Sequence, residues 1–116
     1  MIQRKSGEFN ATAVDLVWQP KVQGAALLIL VSLDSAPSLA GTVEVIYDSA
    51  EGENFDTVVE GADPAESPAV ADLTFLVNNP LPLLRGDAVR VKYTNPDDKR
   101  VNVTIIGTDD YLIGGH

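Results

Sequence analysis

The segment Ala88–Tyr93, Ala-Val-Arg-Val-Lys-Tyr, puts Val89, Val91 and Tyr93 at alternate positions from Arg90 and Lys92. Successive side chains of an extended backbone point to opposite faces, so this two-residue period marks a half-buried strand. The pattern recurs. Val101, Val103 and Ile105 alternate with Asn102 and Thr104, Val43, Val45 and Tyr47 with Thr42 and Glu44, and Leu73, Phe75 and Val77 fall on one face. Ala26–Leu33 is apolar at nearly every position, which predicts a central strand covered on both sides. The stretches 8–18 and 55–59 complete a set of about seven or eight strands.

Between these runs lie clusters that a strand cannot absorb, among them Gln19-Pro20, Asp34–Gly41, Asn78–Pro82 and Asn95–Arg100. They are rich in Pro, Gly, Asn and Asp, whose backbone preferences favour turns. Two hairpins are predicted. One joins Ala88–Tyr93 to Val101–Ile106 through Asn95-Pro96-Asp97, with Pro96 preset for a type I turn. The other joins Thr42–Asp48 to 55–61 through a turn bent at Gly52. Gly61–Asp72, with two Pro and four Ala, reads as one long loop with room for a helical turn. The fold class is therefore all-β, an antiparallel β-sandwich or jelly-roll-like arrangement. The 116 residues make a single domain, 1–116, with residues 1–8 expected to act as a docking arm and 107–116 as a C-terminal tail.

The charge is segregated along the chain. Ten acidic residues and no Lys or Arg lie between Lys21 and Arg85, within a net charge of −9. A field of that sign repels phosphate and argues against nucleic-acid binding. The longest apolar run, Gly24–Val31, is too short to cross a bilayer. Met1–Asn10 has no apolar stretch behind its basic residues, so a cleaved secretory signal is not expected. With no cysteine, thiolate chemistry and disulfides are excluded.

Catalytic chemistry is sparsely provided. The single histidine is His116, the last residue, where a fixed geometry is not expected. No dinucleotide or phosphate-binding glycine motif occurs. No catalytic residue and no cofactor site is assigned, and the chain is read as a non-enzyme. Asp48, Glu51, Glu53 and Asp56 surround Gly52 and are the metal-ligand candidates, since calcium takes carboxylate and carbonyl oxygens from closely spaced loop positions. Their order does not match an EF-hand loop, and the alternation from Phe55 to Val59 favours a hairpin tip. Arg85-Gly86-Asp87 is read as a strand-entry turn rather than an adhesion motif.

The succession Asp48-Ser49, Gly52, Phe55-Asp56-Thr57-Val58-Val59, Asp63-Pro64, Leu81–Leu84, Gly86-Asp87, Val89–Tyr93 and Val101–Ile106 resembles a group of small tailed-phage virion proteins over roughly residues 25–106. That resemblance implies a non-enzymatic structural protein with a β-sandwich or jelly-roll fold. A separate acidic domain of this size suits a capsid decoration or cement protein, expected to bind the major capsid protein lattice from outside, as a homo-oligomer with a trimer favoured. Its place would be the capsid exterior, after assembly in the host cytoplasm. Arg4 and Lys5 are the expected docking charges, and Trp18, Leu112 and Ile113 the candidate apolar anchors. The alternative is a tail, neck or fibre component acting as a receptor- or carbohydrate-binding module.

Overall fold

The computed structural model describes residues 1–109. Nine strands are present there: β1 (Ile2–Asn10), β2 (Val14–Trp18), β3 (Gly24–Leu33), β4 (Val43–Asp48), β5 (Thr57–Ala62), β6 (Asp72–Phe75), β7 (Leu81–Leu83), β8 (Ala88–Tyr93) and β9 (Arg100–Thr108). A single 3-10 turn, Glu53–Phe55, precedes β5. The strands form two antiparallel sheets. One has the order β1-β9-β3-β6, with β7 also on β3; the other has the order β2-β8-β4-β5.

The alternating apolar faces meet between the sheets. Val14, Leu16 and Trp18 on β2, Val43 and Val45 on β4, and Val89, Val91 and Tyr93 on β8 form one inner layer. Ile29, Val31 and Leu33 on β3, with Val101, Val103 and Ile105 on β9, form the other. β-branched side chains dominate because they pack well on a pleated surface, and each full burial contributes about 1.5–3 kcal/mol. The result is the expected β-sandwich.

The Ala88–Tyr93 and Val101–Ile106 strands do not pair with each other, which corrects the hairpin expected for them. β8 lies between β2 and β4, whereas β9 lies between β1 and β3. The Asn95–Asp98 turn forms as expected, with Asp98 N–H donating to Asn95 O at 3.2 Å, but it carries the chain from one sheet to the other. Asn95 has a φ of 56° and is buried. Its side chain donates to Thr12 O and Lys99 O and accepts from Lys99 N–H. One amide thereby ties two connections that both pass between the sheets.

Other expectations are refined as well. β3 is central, but it is covered on both faces only over its first part: Gly24, Ala25 and Ala26 are all buried, whereas farther along Ile29, Val31 and Leu33 are buried while Leu30 and Ser32 are exposed. The strand expected over Leu73–Val77 ends at Phe75, because Leu76 turns at φ 64° and leaves Val77 outside. Residues 1–8 are not a free arm. They are most of β1, every residue of which pairs with β9 from Ile2↔Thr108 to Asn10↔Arg100. Gly107 and Thr108, expected in the tail, end β9 and are buried. The Gly61–Asp72 loop holds turns, closed by Glu66 N–H to Asp63 O and Val70 N–H to Pro64 O, and no helix.

Candidate functional site

The acidic stretch after β4 is a hairpin tip, as its alternation predicts. β4 and β5 pair from Val43↔Ala62 to Tyr47↔Thr57, with a bulge that sets Val45 and Ile46 opposite Glu60 and Val58. Gly52 has a φ of 113°, a conformation that favours glycine. Ser49 N–H donates to Asp56 Oδ1 at 2.8 Å, so this carboxylate closes the base of the turn.

The four metal-ligand candidates are spent separately. Asp48 accepts from Arg90 at 3.2 Å, and the same guanidinium holds Asp15 at 3.1 Å. Asp56 is committed to Ser49. Glu51 and Glu53 are exposed. No group of three metal-ligating side chains comes together among the described residues. A groove of about 490 Å³ runs along the outer face of this sheet between Asp48, Glu53, Asp56, Arg90 and Lys92. Its lining mixes both signs of charge and places no nucleophile beside a base.

The most perturbed polar groups lie at the same end of the sandwich. Asp87, buried at 4% exposure, accepts Tyr47 Oη and Leu84 N–H on Oδ2 and Ala50 N–H on Oδ1. Burial pushes its pKa up, but these donors outweigh it and hold the group below the ordinary carboxylate value. Its phenol partner moves the other way. The hydrogen bond to Asp87, followed by burial, pushes Tyr47 up to about 12. A carboxylate kept charged and a phenol kept neutral make a structural clasp, which has no proton to exchange near neutrality. The clasp also sequesters the aspartate of Arg85-Gly86-Asp87 from any adhesion receptor.

A scan against protein-family models gives no match, and a search of curated proteins gives none. What this chain can do is therefore read from its own surfaces.

The edge strands are β1, β6 and β7 in one sheet and β2 and β5 in the other, of which β1, with nine residues, and β5, with six, are the longest. β1 pairs with β9 alone and β5 with β4 alone. Arg4 and Lys5, the expected docking charges, are both exposed on β1. Trp18, expected as a candidate anchor, is buried in the core, where it packs over Gly107: a Cβ added there would lie 2.5 Å from the indole. Leu112 and Ile113 lie outside the described residues, as does His116. Sequence reading missed Phe55, Val58 and Val59, which are exposed at the β5 edge. The alternation of Phe55, Thr57 and Val59 with Asp56 and Val58 marked a strand, but Phe55 falls in the 3-10 turn before β5, and an alternating strand has an inner face only where a second sheet covers it. The available signal was their place directly after an acidic turn.

Proposed function

We propose that this chain is a non-enzymatic structural protein of a virion, of the capsid decoration or cement type, acting by binding the outside of a major capsid protein lattice. The observation that carries this reading is the pair of longest edge strands of the sandwich, β1 and β5. They are long, exposed and chemically distinct, while the buried side chains of Asp87 and Asn95 are committed to holding turns. Surfaces of this kind work by area and complementarity. The likeness of the segment from residue 25 to 106 to small tailed-phage virion proteins supplies the assembly in which such a surface would act.

The experiment is direct imaging of the particle that carries this chain, with copy number determined by quantitative mass spectrometry. Hundreds of copies spread over the shell are expected. A handful at the tail or neck would transfer the protein to the receptor-binding alternative, and absence from the particle would overturn the virion reading. The aromatic surface gives that alternative little support, since Phe55 is the one large aromatic side chain widely exposed among the described residues, and sugar binding draws on exposed rings.

A further inference from the structure

We propose that copies of this chain associate head to tail, with the free edge of β1 in one molecule pairing against the free edge of β5 in the next. The contact is independent of the virion reading and belongs to the purified protein.

The two edges lie on opposite sides of the sandwich. Gly7 of β1 sits over Leu16 of β2, where an added Cβ would be 3.0 Å from the leucine, so β1 and β2 share one flank. On the other flank the Glu60 carboxylate of β5 accepts Leu76 N–H at 2.8 Å, immediately after β6. β5 is therefore at the far end of its own sheet from β2. One molecule cannot bring its own β1 and β5 together.

Both edges are apolar enough to gain from being covered. Phe55 is 58% exposed, Val58 51% and Val59 37% at one; Ile2 is 65% exposed at the other. Lys and Pro, two of the devices by which solvent-exposed edges are kept from pairing, are absent across Thr57–Ala62, so the protection of these edges rests on Lys5 of β1 and on the bulge in the β4–β5 pairing.

Charge selects between the pairings. β1 carries Arg4 and Lys5 against the single acid Glu8, a net positive edge, and neither basic residue has an ion-pair partner among the described residues. Around the β5 edge stand Glu51, Glu53, Asp56 and Glu60, within the span that holds no Lys or Arg. Like charges set opposite each other across paired strands are destabilising, so β1 against β1 and β5 against β5 are both disfavoured. β1 against β5 joins opposite signs. The contact is heterologous, so it closes into a ring or extends as a filament according to the rotation between molecules. A six-residue edge spans about 20 Å, and one such contact with its flanking apolar side chains fits an affinity near the micromolar range, since it falls toward the small end of specific interfaces.

Sedimentation velocity over a concentration series at low salt tests this, with three proteins: the wild type, the double variant Arg4→Glu/Lys5→Glu, and the double variant Glu51→Lys/Glu53→Lys. All four positions are exposed, and each variant is checked by its melting temperature. The wild type is expected to self-associate, and to do so less as salt shortens the screening length from about 10 Å at 0.1 M to about 3 Å at 1 M. Each double variant alone is expected to associate at least about tenfold more weakly, because the first sets acid against acid across the contact and the second cancels the acidic charge that faces Arg4 and Lys5. Mixing the two variants restores association, since each supplies the edge that complements the other. Deuterium exchange adds a second readout: amides at 57–59 and in β1 gain protection as concentration rises. A wild type that stays monomeric at low salt and high concentration would overturn the proposal. So would variants that associate as well as the wild type, or a mixture that associates no better than its components.

Discussion

The Tyr47 hydroxyl donates to Asp87 Oδ2 across 2.5 Å, linking β4 to the turn that enters β8. Three donors converge on this one buried carboxylate, two of them backbone N–H groups of segments that otherwise only pass by. Asp87→Asn sets an amide NH2 where one of those donors must be accepted. The expected loss is about 2–4 kcal/mol, because bonds to a charged acceptor are strong and a buried donor left unpaired adds its own cost. Tyr47→Phe removes one donor and leaves the carboxylate two, for a loss of about 1 kcal/mol. Urea denaturation of the two variants checks the order. Equal losses would mean that the backbone donors contribute nothing.

Tyr93 gives the opposite expectation. Its hydroxyl is buried and has no hydrogen-bond partner among the described residues, so Tyr93→Phe is expected to leave stability unchanged or to raise it by about 1 kcal/mol. A loss comparable to that of Tyr47→Phe would show that the Tyr93 hydroxyl is satisfied in solution.

Two pH limits follow from the clasp. Asp87 titrates below its ordinary value of 3.8 in the folded chain, so its contribution is complete above that value and is lost as pH falls through the lower folded one. The Asp87→Asn difference should therefore shrink in acid. Tyr47 is raised from 10.0 to about 12; its contribution is complete below 10.0 and is lost as pH rises toward about 12. Tyrosinate absorbance, followed through an alkaline titration, should show Tyr47 ionising late. Burial, followed by the charges of Asp63 and Asp97, also raises Tyr93, so Tyr47→Phe removes one of two late steps.

Gly107 is a packing requirement of the indole above it. A methyl group there would meet the Trp18 ring at 2.5 Å and Ala25 O at 2.9 Å. Gly107→Ala is expected to cost about 1–3 kcal/mol or more by overpacking, and a smaller residue at 18 should recover part of that cost in the double variant. The coupling is read from a double-mutant cycle of thermal melts.

Asn95→Ala loses three hydrogen bonds and places a Cβ residue without a compensating side chain at φ 56°. Asn95→Gly relieves the backbone conformation but not the lost bonds. Both are expected to be destabilised, the alanine variant by about 1 kcal/mol more than the glycine one. Equal losses in a chemical denaturation would assign the whole effect to the hydrogen bonds.

Calcium is expected to leave the melting temperature unchanged, because Asp48 and Asp56 are already bonded to Arg90 and Ser49. A site with Kd near 1 mM would add about 1.4 kcal/mol at about 10 mM calcium, a readily measured rise.

Alternation in the sequence determined where strands lie and which of their side chains are apolar enough to face a core, because the two-residue period is a property of the extended backbone itself. Val89, Val91, Val101, Val103 and Ile105 all point inward as their spacing requires. Turn chemistry did as well at Gly52 and at Asn95-Pro96, where local conformational preference is strong. Partnership was decided elsewhere. β8 and β9, adjacent in the chain, belong to different sheets, since pairing depends on which distant strands cover each apolar face and no local period encodes that. The same holds for the candidate surface. Arg4, Lys5, Phe55 and Val58 are visible in the sequence as charges and apolar residues, but a strand becomes an edge only when the remaining strands have taken their places. Asp87 shows the reverse: it reads as turn decoration, and only the approach of Tyr47, Ala50 and Leu84 makes it a buried acceptor.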